Sequence, residues 1–356
     1  MIFLVTKTIK DLILITLSVA LLTLLVWLPH ILALPNFWGL NFSAGFNTIY
    51  RNFDGLEYVV IAKTGYNPTL IAGIPQPLPA TYFASHFPGY AVSIALLAPI
   101  LGYLKSMLFI TLVSTILAAV TFYFLVRDFK LTSNPLFLTL IFLILPARWL
   151  IVHSVGSSEP MFIFLILSAV YFFLKFESSN RFIFVILAAL FGLFAQITRP
   201  PGILVFIGIA LFIHWQAFVK SKTIGLQKAF IDHLKYFPMI IMPLGILGVF
   251  YFYSQQMGDF WAYFHSGDNI HLTFSPFQVF NKSQFWVGDI WLEDIVYIFI
   301  LGFLGGVTLW KKKFYSLAFI VLTYSTASTF IAHRDISRYI LPITPFVLIA
   351  FEKVLV

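Results

Sequence analysis

The chain has 356 residues, 60% hydrophobic and 10% charged, with a formal net charge of +8, and its mean hydropathy is +0.94. Soluble domains hold roughly 25% charged residues, so this composition excludes a cytosolic globular enzyme and equally a disordered or fibrous protein. The absence of cysteine excludes disulfides and thiolate metal sites.

An all-α polytopic membrane protein is what remains. Apolar residues run in unbroken blocks rather than alternating, which argues against a transmembrane β-barrel. In chain order the blocks cover Asp11–Leu34, Phe87–Leu104, Met107–Val126, Leu136–Leu150, Pro160–Lys175, Phe182–Thr198, Gly202–Phe218, Tyr236–Tyr253, Trp291–Trp310, Phe314–Ala332 and Tyr339–Val354. Most approach the ~17–25 residues that cross a bilayer. The first block is too long for a cleaved signal peptide and lacks a small-residue cleavage site, so it reads as a retained helix.

Orientation follows from Lys and Arg in short loops. Lys311-Lys312-Lys313, the group Lys220, Lys222, Lys228 and Lys235, and Lys7 with Lys10 all read as cytoplasmic. Keeping Arg127 and Lys130 on that side requires that 87–104 not cross. Pro88, Gly89, Pro99 and Gly102 suit a broken, re-entrant or juxtamembrane helix. The expectation is about ten spanning helices plus this segment, with both termini cytoplasmic; eleven crossings with a weaker charge bias is the alternative. On the ten-span reading, fourteen basic and five acidic residues lie inside, leaving eight and nine outside. The net charge is therefore mostly a topology signal rather than the footprint of an anionic partner.

Two large exoplasmic loops result, 35–86 and 254–290, with shorter ones at Ala147–Ser158 and His333–Arg338. Ionisable residues at outer helix ends mark candidate sites. Asp54 and Glu57 lie one helical turn apart, Glu159 opens one helix and Arg199 closes another. Arg334, Asp335 and Arg338 precede the last helix, and His86 precedes Phe87-Pro88. Arginines suit an anionic ligand head and a carboxylate suits proton abstraction. Plainer roles stay open: Asp54 as a helix N-cap, Glu159 as a macrodipole partner, Arg338 as a snorkelling side chain. His265, Asp268 and His271 have metal-ligand spacing, but their Asn/Ser-rich loop argues against a metal.

One string carries more. Asn52-Phe53-Asp54-Gly55-Leu56-Glu57-Tyr58-Val59-Val60-Ile61-Ala62-Lys63-Thr64-Gly65-Tyr66 resembles the Trp-Asp-x-x-x-Tyr-x-x-Ile-Ala-x-x-Gly-Tyr signature of the GPI mannosyltransferase 2 (PIG-V-like) family, membrane glycosyltransferases of the GT-C class. Further stretches follow in the family's order: Tyr82–Tyr90, Ser157-Ser158-Glu159-Pro160-Met161-Phe162, Thr198-Arg199-Pro200-Pro201-Gly202 and Ser337-Arg338-Tyr339-Ile340-Leu341-Pro342. Phe53, Glu57 and Pro160 depart from the pattern, which leaves sugar and acceptor open.

The resemblance implies a single GT-C transmembrane domain over 1–356. It implies transfer of a hexose, most often mannose, from a polyprenyl-phosphate sugar of the dolichol phosphate mannose type to an exoplasmic hydroxyl, with inversion. Asp54 would be the base, with Glu57 and Glu159 orienting it or the acceptor. Arg199, Arg338, Arg334 and His86 would hold the donor phosphate. Tyr58, Tyr66, Phe87 and Tyr339 would line the substrate pocket. No cofactor is required, and a divalent metal is allowed but not indicated. The expected partners are the bilayer, the lipid-linked donor and a glycan, glycolipid or protein acceptor, with no nucleic acid. The expected location is the plasma (inner) membrane of a bacterial or archaeal cell. A transporter or lipid flippase, and a surface-glycan polymerase or ligase, are the competing readings; no internal repeat favours the first.

Overall fold

The computed structural model describes residues 2–267, 272–288 and 291–356. Among them the chain is helical, with two isolated β-bridges and no strand. This is the fold class expected when every backbone polar group must be satisfied within its own segment. Five helical segments are long and apolar enough to cross a membrane: Thr6–Ile31, Tyr103–Asp128, Glu159–Ser179, Gly202–Ile224 and Leu226–Met257. Shorter apolar helices cover Pro88–Leu101, Pro135–Ile144, Phe182–Thr198, Ile295–Lys311 and Ile336–Ala350.

The chain divides into two compact units. The first comprises 1–164, 197–199 and 248–269. Its helices are α1 (Ile2–Ile31), α2 (Asn47–Tyr50), α3 (Gly55–Thr64), α4 (Pro68–Ala72), α5 (Pro88–Leu101), α6 (Tyr103–Asp128), α7 (Pro135–Ile144), α8 (Ala147–Val152) and the start of α9 (Glu159–Ser179). Ile15 and Val19 of α1 pack on Ala119 and Tyr123 of α6 and Leu143 of α7. The Tyr123 hydroxyl donates to Asp11 Oδ2 at 2.7 Å. Such interhelical bonds contribute about 1 kcal/mol in membrane bundles. The other side of α1 exposes Leu14, Leu17, Leu21, Leu24 and Leu28, a surface suited to lipid.

Within 87–104, α5 runs unbroken from Pro88 to Leu101 with Pro99 inside it, and Gly102 ends it. At 14 residues, α5 is about 21 Å long, short of a hydrocarbon core of about 30 Å. Gly102 then adopts φ +77°, and the chain folds back so that the Tyr90 hydroxyl, on α5, donates to the Met107 carbonyl of α6 at 2.9 Å. The block expected at Leu136–Leu150 is split into α7 and α8 by Pro146, which cannot donate to a helix ladder.

The second unit comprises 165–196, 200–247 and 270–356. It holds the rest of α9, most of α10 (Phe182–Thr198), α11 (Gly202–Ile224), α12 (Leu226–His233) and the start of α13 (Ile241–Met257), then α14 (Trp291–Lys311), α15 (Tyr315–Ser328), α16 (Ile336–Tyr339), α17 (Thr344–Ala350) and α18 (Glu352–Leu355). The last expected block, Tyr339–Val354, is a chain of short helical turns interrupted around Pro342 and Pro345. Trp215, Trp310, Tyr315 and Phe319 form an aromatic cluster next to Lys311–Lys313, the composition of a membrane–water interface.

Candidate active site

The segment expected as the outer loop Ala147–Ser158 is not a solvated loop. It folds as α8 followed by a turn, and residues 152–160 are buried throughout. Buried backbone needs partners, and neighbouring elements supply them. Trp27 Nε1 donates to the Ser154 carbonyl at 2.5 Å. Thr111 Oγ1 serves both the Ser157 carbonyl and the Ser157 N–H, at 3.3 and 3.4 Å.

Two close approaches built on glycine bring the chemistry to this turn. At Gly55, the first residue of α3, a β-carbon would stand 3.0 Å from the Gly156 carbonyl oxygen. At Gly89, in the first turn of α5, it would stand 2.9 Å from Thr198 Cα. Without side chains at these positions, α3 rests on the buried turn and α5 rests beside Arg199.

Glu159 and Arg199 meet there. Arg199 Nη1 is 2.7 Å from Glu159 Oε1, with the carboxylate fully buried and the arginine side chain 11% exposed. The same nitrogen donates to Ser158 Oγ at 2.8 Å. Glu159 Oε2 accepts from the Ser157 hydroxyl. Ser158 Oγ also bonds the Tyr58 hydroxyl at 2.9 Å. Burial, above all, pushes the Tyr58 phenol up to about 12, with Arg199 pulling the other way and Asp54 and Glu159 adding to the rise. The phenol therefore stays protonated at neutral pH, and all three charged groups lie within electrostatic reach of it.

Asp54 occupies the N-cap position of α3, but its side chain makes no capping hydrogen bond. Its carboxylate is instead one-third exposed, with Oδ2 3.9 Å from His86 Nε2. The His86 ring meets the Tyr58 ring edge-on at 5.2 Å. Its Nδ1 is 2.9 Å from Ser85 Oγ, and that hydroxyl donates to the Tyr82 carbonyl at 2.9 Å. Nε2 is the nitrogen facing Asp54.

The two carboxylates thus have different characters. Both Glu159 oxygens are committed inside the protein, which suits holding Arg199 in place. The Asp54 carboxylate is the accessible one. Glu57, one turn on, is half-buried. His86, expected with the donor phosphate, sits beside the base candidate.

Three of the residues expected to line the substrate pocket lie in this unit. Tyr58, Tyr66 and Phe87 are all buried. The Tyr66 hydroxyl donates to the His86 carbonyl at 2.5 Å, and Tyr253 of α13 reaches the same oxygen at 3.3 Å. Phe87 packs on Tyr253 and Tyr263. These rings back the site and fix His86. Tyr253, Ser157 and Ser85 were not singled out from the sequence, although Ser85 stands within the Tyr82–Tyr90 stretch and Ser157 within the Ser-Ser-Glu string.

Arg334, Arg338 and Tyr339 belong to the second unit. Arg338 is buried. The Arg334 guanidinium lies over the Phe285 ring at 5.9 Å, and Tyr339 stacks edge-on with His333 at 5.5 Å. In the 254–290 loop, His265 Nδ1 bonds Asp259 Oδ2 at 2.6 Å, and that contact holds the Asp259 carboxyl below its usual range. Asp268 and His271 lie outside the described residues. Among the described residues no three His, Asp or Glu side chains converge as metal ligands.

No known protein-family model matches the chain, and a search of curated proteins finds no significant match.

Proposed function

We propose that this protein is a membrane glycosyltransferase. It moves a hexose, mannose in the first instance, from a polyprenyl-phosphate sugar to an acceptor hydroxyl on the exoplasmic side. The observation that carries the reading is the pairing of one accessible carboxylate, Asp54, with a buried, carboxylate-anchored arginine, Arg199, across the Tyr58 hydroxyl.

In the proposed step Asp54 takes the proton of the acceptor hydroxyl as its oxygen attacks the anomeric carbon. The bond from that carbon to the phosphate oxygen breaks on the opposite face, and the lipid phosphate leaves with the electron pair. One inversion results. Arg199 offsets the charge that grows on the phosphate, and Glu159 with Ser158 keeps the guanidinium from turning away. His86, held at its carbonyl by Tyr66 and at Nδ1 by Ser85, orients Asp54. The resemblance adds Arg334, Arg338 and Tyr339 on the donor side, a part to be tested by substitution.

The test is donor-dependent transfer by the purified full chain in phospholipid nanodiscs. Polyprenyl-phosphate mannose and glucose are supplied in turn with a panel of lipid and peptide acceptors, and products are read by mass spectrometry. A single added hexose with inverted configuration supports the reading. Products of many sugars would replace it with a polymerase, and flipping of the donor without transfer would replace it with a transporter.

A further inference from the structure

The second unit contains a cavity of about 510 Å³ that the proposed transfer does not use. One face of α11 forms its wall. Phe212, Trp215, Val219 and Thr223 recur at helical spacing along it, a run of about 16 Å. Polarity is graded along this wall. Phe212 and Trp215 stand at one end, with Tyr315 4.7 Å from the Trp215 ring. Lys220 and Thr223 stand at the other, joined by His233 and Lys235 from the segment that follows.

The one carboxylate among the residues lining the cavity is held by neutral donors. Glu177 accepts from the Tyr236 hydroxyl and from Gln216 Nε2 at 3.1 Å. Lys220 pairs with Asp232 at the rim, at 2.9 Å. Lys235 donates to the neutral Asn180 amide at 3.2 Å and lies over the Phe176 and Tyr236 rings at 5.4 and 5.2 Å, with no carboxylate in direct contact among the described residues. His233 Nδ1 is engaged with the Ala229 carbonyl at 2.5 Å, while its Nε2 is shielded from solvent with no partner among the described residues. A shielded ring nitrogen without a partner is uncommon in a finished protein interior, and here it borders a cavity that also presents Lys220 and Lys235.

The surroundings place the cavity at a lipid boundary. Beside it, α12 and the turn after it expose Leu226, Ile231, Leu234 and Phe237, an apolar face of the kind that lies in a membrane interface. The Trp215–Trp310–Tyr315 cluster marks the same level. An apolar, aromatic channel that ends in cations at the headgroup level has the polarity profile of an anionic phospholipid.

We propose that this cavity binds an anionic membrane phospholipid. Its phosphate sits between Lys220 and Lys235 at the end where His233 stands, and one acyl chain lies along Val219, Trp215 and Phe212. The ligand would tie α11 to the α12 segment.

Native mass spectrometry of the delipidated full chain, titrated with dioleoyl phosphatidylglycerol and separately with dioleoyl phosphatidylcholine, tests this. The expected result is preferential retention of phosphatidylglycerol. Lys220→Ala combined with Lys235→Ala should weaken it about tenfold or more, from the electrostatic attraction that each cation supplies. Val219→Trp, an exposed position on the wall, should weaken it comparably with every charge intact. Lys311→Ala with Lys313→Ala removes equal charge elsewhere and should leave it unchanged. Equal retention of both lipids, wild-type retention by Val219→Trp, or an equal loss in the Lys311/Lys313 control would overturn the proposal. Glycerol 3-phosphate binding as tightly as the lipid would also overturn it, by assigning the site to a soluble phosphate ester.

Discussion

Arg199 reaches Glu159 Oε1 at 2.7 Å inside the first unit, and the carboxylate is fully buried. Removing one partner of such a pair strands the other charge and costs about 3–5 kcal/mol, whereas replacing both with apolar residues is often neutral. Glu159→Gln should therefore lower the unfolding midpoint steeply. The double variant Glu159→Leu with Arg199→Met should recover most of that stability while remaining inactive. Thermal unfolding in detergent, measured beside transfer activity, separates the two effects. Recovery of activity together with stability would remove Arg199 from the chemistry.

Asp54 presents the opposite case. Its side chain makes no capping bond and faces His86, and Asn keeps its size and shape, so Asp54→Asn should cost no more than about 1 kcal/mol of stability. Loss of a general base lowers turnover about 10²–10⁴-fold. Near-wild-type transfer by Asp54→Asn, measured as initial rate at saturating donor, would dismiss it as the base.

Gly89 tests the packing that delivers Arg199. A side chain there meets the Thr198 backbone, which cannot yield as a flexible side chain can. Gly89→Val should cost about 1–3 kcal/mol by overpacking and reduce transfer more than its stability loss explains, because Thr198 precedes Arg199. Valine at Val92, an exposed position of the same helix, offers the control site: Val92→Ala should leave transfer unchanged.

His153, in the turn between α8 and α9, is buried, and burial pushes its imidazole down from 6.5 to about 4 against a weaker opposing pull from the Leu143 carbonyl. Between these values the unfolded chain binds a proton that the folded chain does not. Stability should therefore fall as pH drops from about 6.5 toward 4 and level off, for this group, below that. Unfolding midpoints at pH 7 and pH 5 should differ less in His153→Gln than in the wild type. An unchanged difference would show that other groups carry the acid sensitivity.

Much of the architecture was legible in the residues. The helical fold class follows from hydropathy alone, because a chain this apolar has no other way to satisfy its backbone in lipid. The start of α5 at Pro88 and its end at Gly102 were legible, whereas Pro99 lies inside the helix without breaking it. The ordering of the first loop was legible from the periodic Leu56, Val59 and Val60, which fall within α3. Less legible were Pro146, Pro342 and Pro345, which divide blocks that read as continuous spans. Hydropathy averages over a window and passes across such breaks.

For the site, sequence by itself determined which groups carry charge at the helix ends: Asp54, Glu57, His86, Glu159 and Arg199. One arginine, Arg199, stands among three carboxylates and a histidine. Only the tertiary structure decided how they divide the work. Spacing along a chain cannot say that residues 152–160 are buried, that Arg199 is matched to Glu159 rather than to solvent, or that Asp54 forgoes its cap and faces His86. Those outcomes depend on α3 and α5 approaching the buried turn at Gly55 and Gly89. Burial by distant segments is what turns one carboxylate into an internal anchor and leaves the other accessible.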